Sequence, residues 1–274
     1  MKNFYILPLC VILLAGCKTG MTWEKVAMDG SRTGVIAPNA FNVAEALGVV
    51  DSLSGVYTAP NGKQFKGGST PEVAALLIGA QPAMAEVKEV IGSSVMAMNA
   101  HAPESELSNM VADLLLREVP RLVKRPVDMS LTNFGGIRVD MPEGDVLLDD
   151  IRSMFPFNNK LCYVELKGED VLYLAGQLAK KMQCVGGVQM VVKDHELQSF
   201  KIGGKPVNPK KYYGLATIDF LLDGGDGLYA ARNARELILT DVLIGQVVEE
   251  YVRNLTAEGK QIDYQTDGRV VVEK

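Results

Sequence analysis

Between Ser105 and Val119 the apolar residues Leu107, Val111, Leu114 and Leu115 recur at intervals of three and four, the spacing of one helical face. Glu118 continues the same spacing, and Ser105 stands where an N-cap belongs. Val171, Leu174 and Leu178 form a second stripe within "EDVLYLAGQLAKKM" and predict an amphipathic helix. "TDVLIGQVVEEYVRNL" predicts a third, with Thr240 as its cap. The stretch from Thr70 to Ile91 also reads as helical, with Thr70 as N-cap, Pro71 in the first turn and Gly92 as the stop. Pro82 breaks or kinks it, because proline has no N–H for the helical ladder. "PEGDVLLDDIRSMFPF" reads as a turn leading into a short helix from about Leu147.

Period-two alternation marks strands in "VDMSLTNF", "KLCYVELKG", "KYYGLATIDFLL" and "GRVVVEK". "GGVQMVVKD" and "LQSFKIGG" read as strands paired around a turn at Asp194-His195. Strands and helices interleave without strict βαβ alternation, so the expected class is α+β, a mixed sheet with flanking helices. Residues 18–70, rich in Gly, Pro, Asn and Ser, read as an irregular N-terminal arm in which "APNGKQF" makes a hairpin turn. Residues 71–274 form the expected domain.

The head of the chain changes the picture. Lys2 precedes "FYILPLCVILLA", an apolar run too short to span a bilayer comfortably, and Leu14-Ala15-Gly16-Cys17 follows. Small residues directly before a cysteine resemble the lipobox of bacterial lipoproteins. That resemblance implies residues 1–17 as a signal peptide with lipobox, cleavage before Cys17, a lipid on its sulfur, and a cell-envelope protein anchored to a membrane, on its periplasmic or surface side. Cys10 leaves with the signal. Cys162 and Cys184 remain, either paired in an oxidising compartment or standing as two buried thiols.

Of the 274 residues 47% are apolar, enough for a sizeable core, and the net charge of −5 with scattered Lys and Arg argues against nucleic acid as a partner. The only histidines, His101 and His195, sit in a loop and a turn, outside any spacing a zinc or two-metal centre needs. The chain carries no Gly-x-Ser-x-Gly elbow, Walker A or Gly-x-Gly-x-x-Gly. Two glycine-rich loops are left, each closing a strand. In Asn133-Phe134-Gly135-Gly136-Ile137-Arg138 a bare backbone lies between an amide and a guanidinium, which suits close approach to a phosphate or carboxylate, or else makes a tight turn with a solvated arginine. In Phe220-Leu221-Leu222-Asp223-Gly224-Gly225-Asp226-Gly227 the Asp226 carboxylate can accept hydrogen bonds from a ribose diol and Phe220 offers a flat face to a purine ring, or else the loop is an acidic turn beside a core Phe. Phe155-Pro156-Phe157-Asn158 reads as core packing at a helix end, with a ligand contact as the alternative.

"NFGGIR", "MFPFNNKLCYVELKGEDV" and "KDHELQSFKIGGKPVNPKKYYGLATIDFLLDGGDGL" strongly resemble the C-terminal, substrate-binding domain of 5′-nucleotidases, the UDP-sugar hydrolase and ecto-5′-nucleotidase family, from about Glu104 to the end. The resemblance implies a domain that grips a nucleoside or nucleotide, without a cofactor or metal of its own. Hydrolysis, with its divalent metals, is then the work of a metallophosphatase domain, expected here as a separate partner chain. Asn133 and Arg138 match the Asn and Arg of the family's Asn-Gly-Gly-Gly-Ile-Arg motif, with Phe134 where a glycine is usual. Phe220 and Asp226 match its stacking Phe and ribose-binding Asp, and Gly135, Gly136 and Gly225 belong to the same loops. The resemblance puts a second aromatic near Met182 to Val185, where none stands, and an arginine just before Glu104, where His101-Ala102-Pro103 stands. The expected function is the substrate domain of a split 5′-nucleotidase; the alternative is a non-catalytic nucleoside-binding lipoprotein.

Overall fold

A computed structural model describes residues 30–39 and 41–273; the signal segment and Cys17 lie outside these. The chain opens with a one-turn helix α1 (Val43–Leu47), then β1 (Val49–Val50), β2 (Tyr57–Thr58) and β3 (Gln64–Phe65). These strands form a small antiparallel sheet whose second turn is the hairpin expected at Asn61-Gly62. Helix α2 (Ser69–Ala80) covers it, and Tyr57, Ala59 and Ala74 make a small core apart from the main one.

The helix expected to run to Ile91 stops at Ala80. Pro82 turns the chain through one 3₁₀ turn, and the β-branched pair Val90-Ile91 opens strand β4 (Val90–Ser94). Helix α3 (Glu106–Val123) follows; Ser105 caps it, its hydroxyl accepting from the Ser108 N–H. Next come β5 (Met129–Thr132), β6 (Gly144–Leu147), which pairs with β4, and the short helix α4 (Leu148–Met154). Strand β7 (Lys160–Lys167) runs into α5 (Gly168–Lys181), then β8 (Cys184–Gly186), β9 (Val188–Lys193), β10 (Glu196–Ile202), β11 (Lys205–Pro206) and β12 (Tyr212–Ile218). Asp194 and His195 both have positive φ between β9 and β10, as a two-residue type I′ hairpin requires. The chain ends with β13 (Glu236–Leu243), α6 (Ile244–Ala257) and β14 (Val270–Glu273). Thr240 is not a helix cap. It lies inside β13, its hydroxyl donating to the Leu161 carbonyl at 2.8 Å; α6 starts four residues on, where the Gln246 side chain accepts from the Leu243 N–H. The alternation of "ELILT" outweighs the capping signal.

The main sheet has strand order β13-β7-β12-β5-β8, a second sheet β11-β10-β9-β14. The expected α+β class holds. Within the main sheet only β5 and β12 pair in parallel, so the loops leaving them emerge side by side at one edge. Strand β8 runs antiparallel to β5, with Cys184 opposite Thr132, which brings the residue before β8 to the same edge. Helices α3 and α5 bury their predicted stripes: Leu107, Val111, Leu115, Val171, Leu174 and Leu178 are all in the core.

Cys162 and Cys184 are buried and unpaired. They sit on β7 and β8, three strand spacings apart in the sheet, or roughly 14 Å at the usual interstrand distance. A disulfide needs Cα atoms within about 7 Å. Burial pushes the Cys162 thiol up to about 12 and Cys184 higher still. Neither thiol is therefore expected to react with an aromatic disulfide reagent at pH 8 in the folded protein, and both should react in denaturant. A thiol pKa raised on folding leaves stability intact below the ordinary thiol range and erodes it as pH rises through and above that range.

Candidate functional site

The topology joins the two glycine-rich loops. Asn133, one residue past β5, donates from Nδ2 to Asp226 Oδ2 at 2.8 Å. Residues 133 and 226 are far apart in sequence and meet because β5 and β12 are parallel neighbours. Asn133 is buried and Asp226 exposed, so a buried amide fixes a surface carboxylate through its Oδ2.

Gln183 is the residue sequence reasoning missed. It is buried just before β8, and its side chain bridges the two loops. Its Oε1 accepts from the Phe134 N–H at 2.9 Å, and its Nε2 donates to Asp226 Oδ2 at 3.4 Å. Its only available signal was position: a glutamine inside the stretch searched for an aromatic. Replacing it tests the bridge. Gln183→Leu leaves the Phe134 N–H without its acceptor and is expected to cost about 1–3 kcal/mol of stability. Gln183→Glu keeps the acceptor but sets a second carboxylate against Asp226, which raises the pKa of the pair. Stability of that variant relative to the parent should therefore be best at acid pH and fall as pH climbs from about 4 to 7, read from thermal melts.

The glycines divide into two kinds. A Cβ on Gly136 would stand 2.5 Å from Asn133 Oδ1, and one on Gly225 would stand 1.9 Å from the Phe220 carbonyl oxygen. These two let the loops fold onto themselves. Gly135 is exposed, with only ordinary contacts within reach of an added Cβ, and offers open backbone at the surface.

Phe220 is 46% exposed and its ring borders Gly225. Phe155 is core, as expected, but Phe157 points outward, 58% exposed. The Arg138 guanidinium lies 5.9 Å from the centre of the Phe157 ring, within cation–π range, and its Nη1 donates to the Gly135 carbonyl at 3.4 Å. The loop carrying Phe157 is tied to the loop carrying Phe220 by the Lys160 N–H, which donates to Asp219 Oδ1 at 3.1 Å. Contacts thus link Arg138 with Phe157, the Phe157 loop with the Phe220 loop, and Asp226 with Asn133. Near Met182, where the resemblance puts a second aromatic, Met182 packs against the core; an exposed ring is supplied instead by Phe157. The exposed His101 and His195 lie outside this set.

Such a rim offers two aromatic faces, one oriented carboxylate, a bare glycine backbone and one guanidinium, the parts needed to hold a flat ring, a hydroxylated sugar and an anion. The family profile described as "5′-nucleotidase, C-terminal domain" matches residues 83–233, and the chain belongs to that family. UshA of Yersinia enterocolitica is 30% identical over 173 residues, covering 61% of this chain and 30% of that protein. The 5′-nucleotidase of Vibrio cholerae is 25% identical over 155 residues, covering 54% of this chain and 27% of its own. The chain therefore spans under a third of the length of these curated relatives. Among solved structures, the 5′-nucleotidase precursor of Thermus thermophilus shares the fold, with a TM-score of 0.63 and 22% identity over 74% of this chain and 43% of that one.

Proposed function

We propose that this protein is the nucleoside- or nucleotide-binding substrate domain of a split 5′-nucleotidase. It is lipid-anchored through Cys17 at the cell envelope and presents its ligand to a separate metallophosphatase chain that supplies the metals and hydrolyses the phosphate ester. The observation that carries the reading is the Asn133–Asp226 hydrogen bond at 2.8 Å, which unites the two loops into one site beside two exposed rings. In this reading the base lies against Phe157 and Phe220, the ribose hydroxyls donate to Asp226 Oδ1, and the phosphate meets Arg138 next to the open backbone of Gly135. Gly136 and Gly225 keep the two loops in shape. Membership of the family supports the ligand class, and the chain's two histidines support a second chain as the source of metal ligands.

Calorimetry with AMP, adenosine and a UDP-sugar tests the site. Binding is expected for at least one of them, weakened in Arg138→Ala for the phosphate-bearing ligands and unaffected by that change for adenosine. No heat with any of the three ligands overturns the reading. Co-purification of a metallophosphatase from native membranes tests the partner.

A further inference from the structure

Outside the nucleoside site, the most unusual surface is on α2. Val73, Leu76 and Leu77 recur three and four positions apart, the spacing of one helical face, and they are 51%, 73% and 46% exposed. Met84, in the turn that follows, is exposed too, as is Ile36 in the segment that leads into the fold. Helices of globular proteins normally turn such a stripe inward, and a contiguous apolar patch marks an interaction surface.

The chain enters at this stripe. Arg32 Nη2 donates to Thr70 Oγ1 at the start of α2, at 2.9 Å. Arg32, Thr33 and Val35 line a groove of about 360 Å³ together with Val73 and Leu77. Cys17 lies thirteen positions before Gly30, a reach of at most about 45 Å. A lipid on Cys17 would thus tether the molecule from the side that carries this face. Charge agrees: residues 30–80 carry three cations (Arg32, Lys63, Lys66) and three anions (Glu45, Asp51, Glu72), whereas the whole chain is at −5. The acidic remainder is repelled by anionic lipid, and the neutral apolar unit is not.

We propose that the Val73–Leu76–Leu77 face of α2 rests on the lipid bilayer, inserting its side chains at the headgroup boundary and orienting the domain on the membrane. The proposal rests on the reading of Cys17 as the anchor. Tethering raises the local concentration of the face at the membrane, so a weak partition suffices.

The test uses the full acylated chain in vesicles of phosphatidylethanolamine and phosphatidylglycerol, with a nitroxide at Leu76→Cys and, as control, at Lys205→Cys on β11. The buried Cys162 and Cys184 leave the introduced thiol as the labelled one. At position 76, collisions with oxygen should exceed those with a water-soluble nickel chelate, and the ratio should reverse in a form that begins at residue 18 and is free in solution. Position 205 should stay water-like in both. A water-like probe at 76 on vesicles overturns the proposal, as does dipolar broadening from a second copy or shielding from both reagents by a protein partner. Mass analysis of the N-terminal peptide separates the cases: an unmodified Cys17 sinks the anchor reading itself, while an acylated Cys17 with a water-like position 76 sinks only the orientation.

Discussion

Asp226→Asn is expected to weaken nucleoside binding by about 1.5–3 kcal/mol, the value of a hydrogen bond to a charged group, which is roughly a ten- to hundredfold rise in Kd. The fold should be left nearly untouched. Asp226 is exposed and sits at φ 50°, a left-handed conformation that Asn adopts as readily as Asp. The variant's carbonyl can turn inward to accept from Asn133 Nδ2, which now meets Asp226 Oδ2, and its NH₂ then faces outward. A ribose hydroxyl that donated to a carboxylate would meet a donor instead. Asp226→Ala is a poorer probe, because it adds left-handed strain to the loss of the acceptor. Phe220→Ala should act on a different part of the ligand, at about 1–3 kcal/mol for one stacked base, and Phe157→Ala similarly. If both rings hold the base, each variant should weaken adenosine and AMP alike, whereas Asp226→Asn should penalise ligands only through the sugar. Titration calorimetry of the three variants against adenosine and AMP reads this directly. Unchanged affinity for Asp226→Asn would remove the sugar from this loop.

How far this site could be read from the sequence depends on what each residue's role rests on. Asn133, Arg138, Phe220 and Asp226 stand inside motifs, so their residue types and local spacing name them. Their meeting depends on one parallel strand pair, β5 with β12, and strand pairing leaves no mark in local pattern. Gln183 and Phe157 were missed or misassigned for that reason: one lies at the mouth of β8, the other on the loop before β7, and only the order of the sheet brings them to the same edge. The helices were easier where packing and capping agree, as in α3 with Ser105. They were misplaced where two local signals competed, as at Thr240 and beyond Pro82, because strand pairing there overrode helical propensity.

The largest loss of stability is expected at Arg269, which lies just before β14 and bonds Asp113 of α3. Its side chain is 8% exposed and grips Asp113 through two bonds, Nη1 to Oδ1 at 2.7 Å and Nη2 to Oδ2 at 2.9 Å. It also donates to Asp267 and to the Val185 carbonyl of β8. Burial alone would lower the pKa of the guanidinium, but Asp267 and Asp113 more than reverse this, and Arg269 holds the Asp267 carboxyl below its usual range. Arg269→Met leaves Asp113, 30% exposed, with the Tyr264 hydroxyl 2.6 Å away, and is expected to cost about 3 kcal/mol, the low end of the penalty for breaking a buried pair from one side, because water reaches the stranded carboxylate. Adding Asp113→Asn should recover part of that, because a neutral amide still accepts from Tyr264 and carries no stranded charge. In the parent, the share contributed by Asp267 is present above the ordinary aspartate range and is lost as pH falls through it; Arg269→Met should therefore flatten the acid limb of the stability curve, measured by urea unfolding between about pH 3 and 7. The effect should also reach the ligand site. Val185 pairs with Leu131 of β5, and Gln183 lies two residues upstream, so an unmoored β8 loosens the bridge between Phe134 and Asp226. Arg269→Met should thus weaken ligand binding through β8, and a variant that unfolds more easily yet binds with unchanged affinity would show that β8 holds its place without this arginine.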